Sequence, residues 1–387
     1  MTKEQNKKAP NLRFKGFTND WEQRKLYEVA DYRNGKAHEQ HIYIHGNYIV
    51  VNSKFVSTSG KAKKYSDKLI EPLMKNEIAF VLSDVPNGKA LARTFLVKRS
   101  QKYTLNQRVA GITPHPNMNS YFLFILMNRN PYFLKFDDGV GQTNLSKKDV
   151  EQFNENYPTK REQQKIGEIF VKLDSLLTLQ QRKLELLKEI KKGLLQKMFA
   201  DKSKFPILRF EGFHAEWEQR KLGEVIELED NKRKPVKASK RIPGNIPYYG
   251  ANGIQDYVKG YTHTGEHVLV AEDGANSISN YPVYFICSPS WINNHSHVLT
   301  GKGSIISNKF LTYNLKTVPY AKYLVGSGRY KLNAETLKII PIKLPLLTEQ
   351  NYIGSTLSKI DKLITLQHQR LSKLNEIKKS LLQQMFI

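Results

Sequence analysis

The sequence predicts a mixed α/β fold built twice: two globular modules related by an internal pseudo-twofold repeat, joined by two long antiparallel coiled-coil helices. Three observations carry this. The stretch LRFKGFTNDWEQRKLYEV at 12–29 returns as LRFEGFHAEWEQRKLGEV at 208–225, with 13 of 18 positions identical. A second pair, 158–199 and 345–386, matches at 22 of 42 positions without a gap. Between these anchors the two halves diverge, so one frame encloses two different middles. The anchors lie 196 and 187 residues apart, which makes the intervening segment nine residues longer in the first half. Faint echoes survive at the smaller offset: Gly139-Val-Gly141 against Gly326-Ser-Gly328, and Leu145 against Leu332. The resulting boundaries are 1–157 and 201–344 for the modules, and 158–200 and 345–387 for the helices.

Each module opens on a WEQRKL segment, read as a tryptophan-anchored helix that belongs to the frame. The middles alternate short apolar runs with Gly, Asn and Pro turns: YIVVNSKFVS and EIAFVLSD in the first, IPYYGANGIQDYV, EHVLVAEDGANSIS and YPVYFICS in the second. Such runs read as short strands of a mixed domain. Pro131 and Pro319 each mark a short helix, because proline suits the first helical position.

The two exits are helical. Apolar residues recur in steps of three and four at Ile166, Ile169, Leu173, Leu176, Leu184, Leu187, Ile190, Leu194 and Met198, with a skip at Gln180. Ile353, Leu357, Ile360, Leu363, Leu371, Leu374, Ile377, Leu381 and Met385 repeat the pattern, with the skip at Gln367. This is a stripe near the heptad period. About 35 residues at 1.5 Å each give a helix of roughly 50 Å. The predicted seam is Leu173, Leu176, Gln180, Leu184, Leu187 and Leu194 against Ile360, Leu363, Gln367, Leu371, Leu374 and Leu381. Gln180 facing Gln367 is a device for fixing register. The lysines on the outer faces, Lys183, Lys188, Lys191 and Lys192 with Lys373, Lys378 and Lys379, read as solvent or subunit surface and not as DNA readers.

The formal charge of +25 is shared by both halves. Lys and Arg exceed Asp and Glu by 35 to 20 in residues 1–200 and by 26 to 16 in 201–387. A basic excess so evenly spread favours a polyanion, above all nucleic acid. The single cysteine, Cys287, excludes an intrachain disulfide and a Cys-based zinc site; it reads as buried and inert. The start lacks an apolar signal region, and the longest apolar run, YFLFILM, is far below the ~18 residues of a membrane span. The chain is therefore expected in the cytoplasm.

Side chains suited to base edges and phosphates fall in the loops of the middles, since Asn and Gln pair with adenine, and Arg and Lys with guanine. In the first they are Arg33, Asn34, Lys36, Lys61, Lys63, Lys64, Tyr65, Asn87, Lys89, Asn106, Gln107, Arg108, Gln142 and Asn144. In the second they are Lys232, Arg233, Lys234, Tyr248, Tyr249, Asn252, Asn276, Asn293, Asn294, His295, Arg329 and Tyr330.

Catalytic signals are thin. Asn130-Pro-Tyr-Phe133 approaches the loop of amino-group methyltransferases but lacks its second proline, and reads as a helix start. Gly139-x-Gly141 has no strand–loop–helix context and no Lys-Ser/Thr after it. Asp230-Asn-Lys232 fits the acidic-x-lysine piece of nucleases, which leaves a metal-dependent nuclease or recombinase as the alternative function. His41 with His45, and His295 with His297, lack a third placed ligand and read as surface pairs, so no metal site is predicted. No catalytic residues are assigned.

The repeated WEQRKL-x-EV, the Gly-x-Gly closing each middle, and Glu162-Gln163…Ile166-Gly167 with Glu349-Gln350…Ile353-Gly354 leading the long helices resemble the specificity subunit of type I restriction–modification systems, over essentially the whole chain. The resemblance implies two target recognition domains, each reading half of a split DNA sequence, and a coiled coil that spaces them. It implies a subunit without catalysis or cofactor of its own. The expected partners are double-stranded DNA, two methyltransferase subunits that bind S-adenosylmethionine, and restriction subunits that use ATP and Mg.

Overall fold

The computed structural model describes residues 9–200, 203–326 and 330–386. It divides into two compact units, Met1–Leu179 with Leu371–Ile387, and Gln180–Arg370. Each long helix, Lys160–Lys197 and Leu347–Met385, is shared by both units.

The two middles have diverged in sequence and keep one topology. In the first unit a four-stranded antiparallel sheet runs Ala30–Asn34, Val109–Pro114, Ile78–Val81, Thr94–Leu96. In the second the order is Ile226–Leu228, Ser296–Gly301, His267–Ala271, Val283–Ile286, with the corresponding connections. The central strands IAFV and HVLVA are buried at every position. That is why they read as continuous apolar runs and not as alternating ones. A three-stranded sheet accompanies each: Tyr65–Ser66, Tyr48–Val51, Tyr103–Leu105 in the first, and Gly253–Val258, Pro243–Gly250, Trp291–Ile292 in the second. The run YIVVNSKFVS is only half strand: Asn52 accepts the Phe55 N–H and starts a helix, Ser53–Ser57. Asn130 likewise caps the helix Pro131–Leu134, and a 3-10 turn, Tyr320–Lys322, follows Pro319.

The WEQRKL segment is not a helix. Glu22–Lys25 and Glu218–Lys221 are strands, followed by a single helical turn. Their residues are solvated and carry no apolar helical period, so pairing decides. Glu22–Lys25 lies antiparallel to Asn154–Tyr157, and Glu218–Lys221 to Pro341–Leu344. In both units the strand that opens the module is therefore zipped to the strand that leads into the long helix. The tryptophans are core residues, Trp21 against Phe122 and Trp217 against Phe199 and Phe310.

The repeated Glu-Gln…Gly of each long helix has a distinct job at each position. Glu162 is buried and receives Arg13 Nε and Nη2 at 2.6 and 2.7 Å. Glu349 is buried and receives Arg209 Nε and Nη2 at 2.8 Å each. Two parallel charge-assisted bonds neutralise a carboxylate that also sits at the positive end of a helix dipole. Gln163 accepts the Asn119 N–H and donates to the Pro158 carbonyl. Gln350 does the same with the Ser307 N–H and the Pro345 carbonyl. These amides tie each long helix to the cap of a core helix, Ser120–Met127 or Asn308–Leu315. The glycines permit the approach: a Cβ on Gly354 would lie 2.9 Å from the Phe310 nitrogen.

Two turns further on, Tyr121 donates to Asp174 at 2.6 Å and Lys378 pairs with the same carboxylate. Tyr313, Asp361 and Lys191 repeat the arrangement in the other unit. Burial, reinforced by the carboxylate, raises both tyrosine pKa values far above the usual range. Phe170–Phe386 and Asp174–Lys378 in one unit, and Gln180–Gln367 and Lys191–Asp361 in the other, advance along one helix while retreating along its partner, so the helices run antiparallel within each unit. The Gln367 amide donates to the Gln180 side-chain oxygen and to its backbone carbonyl, the latter at 2.9 Å.

The seam departs from its predicted course at one step. Leu184 and Leu371 are buried, and Leu173, Leu187, Leu194, Ile360, Leu374 and Leu381 are half-buried. Leu176 and Leu363 are exposed, at 38% and 50%. The inward step there is four residues, through half-buried Leu177 and Ile364, because a 3.6-residue helix drifts off a strict 3.5-residue stripe. The last turn of the second helix, Leu381 to Phe386, closes the core of the first unit, while Met198 and Phe199 close that of the second. Cys287 is exposed, in the turn after Val283–Ile286, and not buried as its residue type suggested.

Replacing Glu349 or Glu162 by Ala strands a guanidinium and should cost about 3–5 kcal/mol. Replacing Arg and Glu together by apolar residues should cost much less. Urea denaturation followed at the nearby tryptophan measures both.

Candidate nucleic-acid interface

In the first unit, backbone pairing gathers several loop residues at one end of the three-stranded sheet. The Val50 N–H donates to the Lys64 carbonyl, and the Asn106 N–H to the Val51 carbonyl. Lys36 and Asn106 form a parallel bridge. Gly35 makes it possible, since a Cβ there would lie 2.1 Å from the Asn106 carbonyl oxygen. The product is an open concavity of about 310 Å³ lined by Lys64, Asn106, Gln107, Arg108, Asn52 and Lys54, among others. Lys64, Gln107 and Arg108 are exposed, Gln107 reaching Glu39 at 3.1 Å. Lys61 and Lys63 stand exposed just before this strand, with Tyr65 half-buried in it. Sequence reasoning missed Lys54, whose signal was the Asn-Ser-Lys following the apolar run.

Other candidates lie elsewhere or are spent. Arg33 commits its guanidinium to Glu77, Glu71 and the Pro72 carbonyl, and Lys36 pairs with Glu71 at 2.9 Å. Asn34 accepts the Tyr32 hydroxyl. Asn87, Lys89, Gln142 and Asn144 belong to a different pair of loops, where Gln142 donates to Ser83 at 2.7 Å and Asn87 to the Gly139 carbonyl. Lys89 and Asn144 are exposed there.

In the second unit a charge network sits where the nuclease reading placed a catalytic acid. His297 is buried, not at the surface; its Nδ1 faces Asp230 at 2.6 Å and its Nε2 the Leu332 carbonyl at 2.8 Å. Asp230, Glu272 and His297 bring potential ligand atoms within 4.8 Å of one another. Two cations already serve these acids. Arg233 bridges Asp230 and Glu272 at 3.2 and 2.7 Å, and Lys331 reaches Glu272 at 3.3 Å. Lys232 turns to Glu229, away from Asp230. The arrangement is a charge-neutralised cluster in which the Arg233 guanidinium is held between two carboxylates.

Tyr248 is buried, its hydroxyl accepting the Val236 N–H, with the Arg241 guanidinium 4.1 Å from its ring centre. Asn293 is buried and accepts the His295 N–H. Half-buried His295 lies 3.7 Å from Asp273. Asn252 and Asn276 staple two loops together. Tyr249 is half-buried, and Asn294 and Tyr330 are exposed. Arg329 lies outside the described residues. Exposed Lys234 begins a surface that sequence reasoning undercounted. Residues 231–241 hold six basic and no acidic side chains, and Lys237 and Lys240 are exposed with it. The run itself was the available signal. Trp291 donates its indole N–H to the Lys234 carbonyl at 2.7 Å and pins the segment to the sheet.

The two units thus share a frame and present unlike basic surfaces. A family profile described as the type I restriction modification DNA specificity domain matches twice, at residues 18–189 and 214–376. The chain belongs to this family. A Haemophilus influenzae relative is 46% identical over 153 residues, which is 40% of this chain and 39% of that one. A Methanocaldococcus jannaschii relative, MjaVIII, is 23% identical over 396 residues, covering 94% of this chain and 91% of its own length. Both are described as type I restriction enzyme specificity subunits. In fold, the chain is similar to the S subunit of M. genitalium, with TM-score 0.74, 17% identity and coverage of 98% and 99%. It also resembles a chain from a structure on the assembly and conformational transition of the type I R-M system, with TM-score 0.51, 15% identity and coverage of 95% and 97%. Among the described residues no helix is long and apolar enough to cross a membrane.

Arg33→Ala should destabilise the first unit by about 3 kcal/mol, because Glu77 is left buried without its partner. Arg108→Ala and Lys64→Ala should stay within about 0.5 kcal/mol of the parent, as surface changes do. Thermal melts of the three variants separate the structural cation from the surface ones.

Proposed function

We propose that the chain is the DNA-recognition subunit of a type I restriction–modification complex, each unit reading one half of a bipartite, gapped target. The observation that carries this is the pairing of one duplicated frame with two different exposed basic surfaces. In the first unit the base-reading residues are drawn from Lys64, Asn106, Gln107 and Arg108; in the second from Asn294, Tyr330 and the segment led by Lys234. Base contacts specify, while the spread lysines position the phosphates.

The long helices set the gap and dock two methyltransferase subunits. Their outer faces support a repeated partner: Leu176, Leu179 and Ile190 are exposed on one helix, and Leu363, Leu366 and Ile377 at the equivalent positions of the other. The chain itself performs no chemistry. S-adenosylmethionine belongs to the methyltransferase partners, and ATP with Mg to restriction subunits that join them.

Expression with the cognate methyltransferase, followed by genome-wide mapping of methylated adenines, should give a two-part motif with a fixed gap. A continuous palindrome would overturn the two-reader scheme. Matched insertions of one helical turn beside Gln180 and Gln367 should change the gap, or abolish recognition, and leave each half-site sequence unchanged. Surface substitutions at Asn106 and Arg108 should alter one half-site only.

A further inference from the structure

The frame repeats, but one concavity beside it does not. In the unit Gln180–Arg370 a groove of about 910 Å³ lies between the end of the first long helix, the turn after Asn308–Leu315 and the strand Pro341–Leu344. Five lysines line it, Lys188, Lys191, Lys192, Lys316 and Lys343, and no Asp or Glu does. Lys191 is held by Asp361, and Lys343 donates to the Ser203 carbonyl. Lys188, Lys192 and Lys316 are exposed and form no ion pair among the described residues. Although the Lys316 side chain is exposed overall, the protein around its amine, and then the Lys191 ammonium, push its pKa down to about 8. With five lysines and no Asp or Glu on its walls, the groove carries an excess of positive charge.

Symmetry makes this informative. At the helix offset of 187, Lys188 corresponds to Asn375. Aligning Tyr313 with Tyr121 sets Phe124 opposite Lys316, and the paired strands set Asn156 opposite Lys343. Three of the five cations are therefore absent from the first unit, so the charge is not a requirement of the frame. The groove also shares Ser279, Lys316, Thr317, Val318 and Pro319 with a neighbouring concavity lined by Asn276 and Tyr330. It continues the surface assigned above to base reading.

We infer that this groove is a phosphate-backbone site: duplex DNA bound by the second unit extends past Lys316 and lays its phosphodiester oxygens against Lys188 and Lys192. The inference rests on the DNA-reading function proposed above. Lysine ammoniums are compact point charges without the fork geometry that singles out a base edge, and they neutralise phosphates regardless of sequence. An acidic protein segment would also meet positive charge here, but the wall shared with the Tyr330 loop favours nucleic acid.

The test uses the full complex with its methyltransferase partner and the triple substitution Lys188→Gln, Lys192→Gln, Lys316→Gln. Affinity is measured between 50 and 200 mM salt for duplexes with and without the methylated motif. The slope of log K against log salt should flatten by about 0.9 per lost contact, roughly 2 to 3 in all, on both duplexes. The motif should remain the same, and Lys→Arg at the three positions should restore the slope. An unchanged slope overturns the inference. So does loss of methyltransferase assembly in the absence of DNA, which would assign the groove to an acidic protein segment. If the triple variant folds poorly, Lys188→Gln with Lys192→Gln on the exposed helix face should still flatten the slope by about 2. Failure of the wild-type complex to recognise any bipartite motif would instead sink the DNA-reading function, and is read independently of the variants.

Discussion

A carboxylate buried in the first turn of a long helix must be neutralised, and much of this fold follows from how that is done. Glu162 and Glu349 are each met by a bidentate guanidinium from the segment that opens the same module, Arg13 or Arg209. Removing a single partner leaves a buried charge, so opening and exit must be kept together. The paired strands beside the clamp add backbone bonds to the same closure. The adjacent glutamine then fixes the cap of a core helix, and the glycine lets that helix approach. Three separated segments, opening, exit and core helix, are thereby locked at one corner of each unit.

This explains why the repeat survives only at the ends of each half. The corner depends on named side chains in fixed geometry: a guanidinium, a carboxylate, an amide and a missing Cβ. The middles depend on less specific requirements. A central strand needs only to be apolar and extended, and IAFV serves as well as HVLVA. Loops at the sheet ends need only the right length and turn chemistry. The middles can therefore diverge to carry different surfaces while their strand order stays the same.

The duplicated frame and the long helices were legible because they rest on identity and periodicity over dozens of residues. The opening strand was not. EQRK has no period of its own, and its conformation is decided by a partner more than a hundred residues away. Among the candidate readers, residue type alone cannot separate Arg33 from Arg108. One is claimed by Glu71 and Glu77, the other is exposed beside Asn106, and only long-range pairing distinguishes them. Arg233 is the same case in the second unit: a basic run was visible, but not that one member turns inward to Asp230 and Glu272. His297 shows the reverse error, a polar residue taken for surface that strand pairing buries.

The glutamine pair fixes the register of the two long helices. Leucines at every seam position would let the helices slide by a heptad at little cost, since each register buries similar area. Gln367 is almost fully buried and directs its amide to the side chain and backbone of Gln180. A slip by seven residues would set each amide against leucine and leave polar groups unpaired, at about 1–3 kcal/mol apiece. The Asp174–Lys378 and Asp361–Lys191 pairs would be broken by the same slip. Stability is given up at one seam position, and a single register is obtained in return. Under the proposed function, in which two readers meet DNA at one spacing, that register matters more than the extra leucine.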